Sequence, residues 1–220
     1  MPLAINSIAP DFSAQSTQGP IDFYDWVGDS WCMFFSHPKD FTPVCTTEMG
    51  AVAQMKPDFD RRDVKLLALS IDTVEDHTRW SDDIETACDI APNYPMIADT
   101  HLEIAKLYDM LPAKAGDTSE GRTAADNATA RTVFVIGPDK KIKMTISYPM
   151  TTGRDFTEVL RAIDSLQLMA RHQLATPANW KHGEDLVIAP SVSNEEAQAR
   201  FPNGWKTPLP YLRLVRALQT

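Results

Sequence analysis

Cys45 stands directly behind Thr42, Pro43 and Val44 in the stretch SHPKDFTPVCTTE, residues 36–48. A thiolate is a nucleophile and a thiol is not, so the first question is what could hold the proton off this sulfur. With Thr42 as a helix cap and Pro43 in the first helical position, Cys45 falls in the first turn, facing unpaired backbone N–H groups and the positive end of the helix dipole. An ordinary thiol, with a pKa of about 8.5, is a few per cent ionised at neutral pH. Making it mostly thiolate takes roughly 2.7 kcal/mol of differential stabilisation. A helix terminus supplies about 0.3 to 1 kcal/mol at an exposed site and up to about 2 when partly buried, so a cation must help. His37, Arg131 and Arg154 are the candidates, and the Thr42 hydroxyl can donate to the sulfur or to a substrate oxygen.

Other sets of reactive residues are weaker. Cys32 lies in an apolar run and Cys88 ends an amphipathic pattern, and both read as core residues. No pair among the cysteines and His37, His77 or His101 has zinc-ligand spacing, and no metal is expected. Gly28-Asp29-Ser30-Trp31-Cys32 approaches a hydrolase nucleophile elbow. It has cysteine in place of the final glycine, and it precedes a strand where an elbow follows one.

Elements must position Cys45, and the chain alternates between two periods. WCMFFS (31–36) has the length of a buried strand and leads into a helix over 43–56. VKLLALSID (64–72) is a second strand before a helix rich in early acidic residues, TVEDHTRWSDDIETA. YPMIADT and HLEIAKLYDM repeat the unit. TARTVFVIGPDKKIKMTISYP reads as a hairpin turning at Gly137-Pro138-Asp139, and GRDFTEVLRAIDSLQLMA as a closing amphipathic helix. The result is an α/β domain with a mixed sheet and its chemistry at the carboxyl ends of strands. Residues 112–128 read as a flexible surface loop or a small insertion. After about residue 175, prolines and aromatics alternate in what reads as an arm packed on the core or on a partner subunit.

Composition sets the outer bounds. Hydrophobic residues make up 43% and charged residues 23%, as in ordinary globular proteins, and no run approaches the roughly 18 apolar residues of a membrane span. A net charge of −9 argues against nucleic acid or an anionic membrane as partner. The cluster Lys140, Lys141, Lys143 reads as a solvated hairpin. Three dispersed cysteines and a start without a secretory pattern point to a reducing, cytoplasmic location.

SHPKDFTPVCTTE closely resembles the active-site segment of the peroxiredoxins, and its histidine variant resembles the 1-Cys, Prx6-like subfamily. The likeness continues through VKLLALSID, EDHTRWSDDI, RTVFVIGPDKKIK, YPMTTGRDFTEVLRAIDSLQL, ATPANWKHGEDLVIAP and FPNGWKTPLPYLR. Pro38, Thr42 and Cys45 fill the pattern P-x-x-x-T-x-x-C in combination with Arg131. The resemblance implies a thioredoxin-like domain over residues 1–168, with an N-terminal extension, and a C-terminal arm over 169–220 that contributes to a homodimer or higher oligomer. It implies that Cys45 attacks a peroxide, that Thr42 and Arg131 hold the peroxide oxygens, and that Pro38 shields the pocket. His37 is implied as a pocket residue near the sulfur, with Arg154 and Glu48 in support, and no metal, haem or flavin is implied.

Typical two-cysteine relatives reduce the oxidised sulfur with a second, late cysteine. No cysteine follows Cys88 in this chain. The expected reductant is therefore an external thiol, from glutathione or a thioredoxin-type system, with Cys88 as a minor alternative. The phospholipase set of some relatives is matched at Ser30 and Asp139, but Tyr24 stands where the histidine would be, and a phenol cannot serve as a neutral-pH general base. The alternative function is a non-catalytic peroxide sensor or holdase, which begins from the same thiolate.

Overall fold

The structure is a computed structural model that describes residues 3–111 and 129–216, so the loop expected over 112–128 lies outside the described residues. Two compact units divide the chain, residues 1–156 and 157–220.

The first unit opens with elements that the sequence reading did not foresee. β1 (Ser13–Ser16) and β2 (Gly19–Asp22) form a hairpin whose turn uses Gly19 at φ 96°, followed by the short helix α1 (Phe23–Val27). Four-residue strands give too little periodicity to recognise. Then come the alternating elements: β3 (Trp31–Ser36), α2 (Pro43–Asp60), β4 (Val64–Ser70), α3 (Val74–Cys88), β5 (Met96–Ala98), α4 (Glu103–Leu107), β6 (Arg131–Ile136) and β7 (Ile142–Tyr148). They form one seven-stranded sheet in the order β2-β1-β5-β4-β3-β6-β7. β3, β4 and β5 are parallel, while β6 returns antiparallel to β3 and β1 antiparallel to β5.

Burial explains the order. Every residue of β3 and β6 is buried, as central strands covered on both faces require, and the two pair with Phe34 opposite Phe134. β7 alternates exposed and half-buried residues, the pattern of an edge. The N-terminal segment lies along that edge: Asn6 donates to the Ile142 carbonyl, Ile142 to Ser7, and Ala9 to Lys140. The start of the edge is thereby paired, at Ile142. On one face Phe12, Phe23, Phe34, Tyr108 and Phe134 pack ring on ring, with centroids as close as 4.8 Å for Phe12 and Phe23. Lys140 departs from the solvated reading, because its ammonium donates to the Gly28 carbonyl and lies 5.8 Å from the Tyr24 ring centroid.

The second unit holds α5 (Phe156–His172), β8 (Leu174–Ala175), β9 (Leu186–Ile188), α6 (Asn194–Arg200), β10 (Lys206–Leu209) and β11 (Leu212–Val215). Its strands form an antiparallel sheet, β10-β11-β9-β8, over a core that includes Trp180, Leu186, Ile188 and Val215. Ser193 and Glu196 form a capping box at the start of α6. Pro208 sits in β10, an edge strand, where its missing N–H costs no ladder bond. Trp180 is buried as expected of an aromatic here, whereas Tyr211 is 78% exposed.

α2 packs against α3 and β4, and α3 against β5. Gly50 of α2 faces the end of α3, where an added Cβ would sit 2.4 Å from the Cys88 sulfur. Cys88 is half-buried, less than its reading as a core residue implied, because it ends α3 and lies at the margin of this contact. Alanine favours a helix interior by about 1 kcal/mol over glycine, but overpacking costs roughly 1 to 3 kcal/mol. Gly50→Ala is expected to destabilise the protein in urea unfolding, and Gly50→Ala combined with Cys88→Ala to recover most of that loss.

Candidate active site

Cys45 occupies the first turn of α2, as its sequence context implies. Thr42 is the N-cap with extended backbone and Pro43 takes the first helical position. Phe41, just before the cap, turns the chain with a left-handed φ of 55°, uncommon for a bulky residue. The Thr42 hydroxyl makes no cap bond. It donates to the Lys39 carbonyl at 2.9 Å and so is already engaged, and the Thr42 carbonyl accepts from Thr46 N–H at 2.9 Å. Cys45 and Pro38 are both buried, and the sulfur is fully enclosed.

The cation comes from β6. Arg131, its first residue, places Nη1 3.4 Å from Cys45 Sγ and 2.7 Å from Glu48 Oε2. Its other nitrogens, Nε and Nη2, both donate to the Met150 carbonyl, at 2.9 and 2.7 Å. Glu48 lies three residues along α2 from Cys45, hence on the same helix face. Arg154 closes the set from the chain after β7. It donates to Glu48 through its backbone N–H at 2.8 Å, Nε at 2.9 Å and Nη2 at 2.8 Å, and to the Thr132 carbonyl through Nη1 at 3.1 Å. Its guanidinium also lies over the Phe35 and Phe156 rings.

Two guanidiniums share one carboxylate, so the buried set carries a net positive charge beside the sulfur. At 3.4 Å a guanidinium attracts a thiolate by about 5 kcal/mol gross at an effective dielectric of 20, more than a helix terminus supplies. Glu48 offsets part of that attraction while fixing where the guanidinium points. Burial pushes the Glu48 carboxyl upward, but the hydrogen bonds and charge of Arg154, followed by the charge of Arg131, prevail and hold it below the usual carboxylate range.

A second buried set was not legible in the sequence. Asp40 accepts from both His37 Nε2 at 2.7 Å and His77 Nδ1 at 2.6 Å, and His77 Nε2 lies 3.1 Å from the Ile97 carbonyl. All three residues are buried. His37 follows β3 directly, where Thr129 donates to its carbonyl at 2.6 Å, and its ring lies 5.2 Å from that of Trp80. Its Nδ1 has no hydrogen-bond partner among the described residues. Burial raises the Asp40 carboxyl, yet the bonds and charges of the two imidazoles prevail and bring it to about 2. Burial lowers His77, and the bond and charge of Asp40 outweigh that and raise it. His37 and His77 are thus brought together, with Asp40 and no cysteine. Among the described residues, this is the group of metal-ligating types with donor atoms within 4.8 Å of one another, and its facing atoms already share protons.

The hydrolase-like residues are engaged elsewhere. Ser30 donates to Asp63 Oδ1 at 2.7 Å, the Tyr24 hydroxyl to the Ala9 carbonyl at 2.6 Å, and Asp139 pairs with Lys143 at 2.6 Å.

Comparison with known proteins gives the family. Residues 5–145 match the AhpC/TSA family, and residues 165–204 match the C-terminal domain of 1-Cys peroxiredoxin. The chain is 45% identical to the 1-Cys peroxiredoxin of Dictyostelium discoideum, over 97% of this chain and 85% of that protein. It is 48% identical to human peroxiredoxin-6, over 92% of this chain and 90% of that one. Among solved structures, a yeast mitochondrial 1-Cys peroxiredoxin superposes with a TM-score of 0.89 at 47% identity, covering 98% of this chain and 100% of that one. The chain belongs to the AhpC/TSA family of thioredoxin-like α/β proteins. Within that family it is a peroxiredoxin of the 1-Cys type, and therefore a thiol peroxidase.

The histidine-carboxylate set gives stability opposite dependences on pH at its two ends. Asp40, depressed in the folded state, stabilises above its unfolded pKa of about 3.9, and that contribution is lost as pH falls to about 2. His77, raised in the folded state, stabilises fully below its unfolded pKa of about 6.5, and that contribution is lost as pH rises through the folded value. Denaturant unfolding across pH 2 to 9 is expected to show both slopes, and His77→Gln to remove the alkaline one.

Proposed function

We propose that Cys45 reduces hydrogen peroxide and small organic hydroperoxides through a sulfenic acid that an external thiol then reduces. The observation that carries this reading is the Arg131 Nη1 shared between Cys45 Sγ and Glu48. The thiolate pair attacks the near oxygen of R-O-O-H, the O–O bond breaks with its electrons on the far oxygen, and sulfur is oxidised to Cys–S–OH. Arg131 stabilises the charge as it develops, helped by Thr42, whose hydroxyl turns from Lys39 to a peroxide oxygen. Pro38 shields the pocket, and Glu48, itself held by Arg154, keeps Arg131 in place.

One thiol then forms a mixed disulfide with Cys45 and releases water, and a second thiol frees the sulfur. The yeast structure is described as showing thiol resolution through glutathione and thioredoxin systems, and we assign the same class of reductant to this chain. Cys88 points its sulfur at the Thr46 carbonyl, 3.7 Å away. We assign the 1–168 domain to catalysis and the 169–220 arm to a homodimer or higher oligomer, on the family likeness and the exposed Leu209 and Tyr211. Three free cysteines suit a reducing compartment, and we place the protein in the cytoplasm.

Steady-state peroxide consumption with glutathione or thioredoxin as reductant tests the reading. Cys45→Ser is expected to abolish turnover while Cys32→Ser and Cys88→Ser keep it; full activity without Cys45 would refute it. In excess peroxide without thiol, intact mass spectrometry should show Cys45 sulfinic acid. An internal disulfide as sole product would transfer the resolving role to Cys88.

A further inference from the structure

The groups described around Cys45 all belong to the first unit, and the second unit carries a cleft of its own. Its volume is about 810 Å³, inside the range of small-molecule sites. The lining comes from residues 200–206, where α6 ends and β10 begins, and from 214–216, at the end of β11. Three cations line it, Arg200, Lys206 and Arg216, and among the described residues no carboxylate does, in a chain whose net charge is −9. Arg200 is held by neutral acceptors. Its Nη1 donates to Gln173 Oε1 at 3.1 Å and its Nη2 to the His172 carbonyl, so neither bond cancels its charge. Lys206 reaches the Asp185 carboxylate at 3.1 Å, but Asp185 is outside the lining and the pair is solvent-exposed, where an ion pair is worth little. Surplus positive charge in a cleft with low-dielectric walls concentrates anions there.

The rest of the lining says what kind of anion. Trp205 is half-buried against the core of the second unit and lines the cleft. Phe201 is buried, with the Arg200 guanidinium 5.6 Å from its ring centroid. Asn203 is exposed and offers an amide that both donates and accepts. An indole face stacks on a flat heterocycle, and guanidinium and ammonium groups take phosphate oxygens. A lone carboxylate would leave two of the three cations unused, whereas a chain of phosphates engages them all. Leu209 and Tyr211, the exposed residues assigned above to assembly, are not part of the lining.

We propose that this cleft binds a nucleoside phosphate, with the base stacked on Trp205 and the phosphates on Arg200, Lys206 and Arg216. The site is made by the second unit alone and goes beyond the peroxide chemistry of Cys45.

Isothermal titration of the full chain with adenosine diphosphate tests it, beside adenosine, which lacks the phosphates, and pyrophosphate, which lacks the base. The diphosphate should bind once per chain, about tenfold or more tighter than either fragment, and more weakly as salt is raised. Arg216→Gln, at an exposed position, should weaken it roughly tenfold. Trp205→Leu should weaken the diphosphate roughly tenfold and leave pyrophosphate within about twofold. If Trp205→Leu fails to fold, Arg216→Gln and the wild-type comparison of the two fragments decide. Pyrophosphate binding as tightly as the diphosphate means a bare anion site and overturns the inference, as does the absence of diphosphate binding. Failure to bind the diphosphate, with a changed sedimentation coefficient in Arg216→Gln, makes the cleft a contact between copies of this chain and also overturns it. Absence of peroxide turnover in the wild-type chain would instead refute the peroxidase reading and leave this site standing.

Discussion

Glu48 is the residue on which the site turns. Its carboxylate accepts four hydrogen bonds from two buried arginines, and it sits on the helix face that carries Cys45. Buried charges are costly unless paired and fully hydrogen-bonded, and removing one partner from such a pair costs about 3 to 5 kcal/mol because the other is left uncompensated. The set therefore has little freedom to rearrange. Arg131 has one guanidinium edge committed to the Met150 carbonyl and Nη1 divided between Glu48 and the sulfur, which fixes its charge beside Cys45.

The same interaction ties reactivity to completion of the fold. Glu48 and its arginine partners are separated by 83 and 106 residues along the chain, so the site exists once α2, β6 and the turn after β7 are assembled on the sheet. Across the loop from β3 to α2 lies the opposite arrangement, in which one carboxylate, Asp40, joins two histidines. One set presents fixed positive charge to the sulfur, and the other joins two buried imidazoles through one carboxylate.

Much of this was legible in the sequence. The apolar runs of β3, β4 and β6 and the amphipathic α3 and α5 are long enough for their periods to show, and Thr42-Pro43 marks the start of α2. Cys45 followed from helix-terminus physics, and the magnitudes demanded a cation that the structure finds in Arg131. Thr42 followed from the cap position and Arg154 was already a candidate cation, whereas Glu48 came from family resemblance. β1 and β2 are too short to show a period, and so are the strands of the second unit, at two to four residues each. The His37-Asp40-His77 chain was invisible because His77 joins it through packing of α3, and no spacing rule reports such a contact. Cys88 read as a core residue from its place on an amphipathic helix, yet the helix end leaves it half-buried.

The central claim is that the arginine held by Glu48 acts on the peroxide transition state as well as on the sulfur's charge. The most direct measurement compares the rates at which Cys45 reacts with hydrogen peroxide and with the neutral alkylating agent iodoacetamide in wild type and Glu48→Gln. Alkylation reports thiolate reactivity and has no leaving oxygen for Arg131 to stabilise. The expected result is a peroxide rate that falls about 100-fold further than the alkylation rate. Equal losses in both reactions, or none in either, would contradict it.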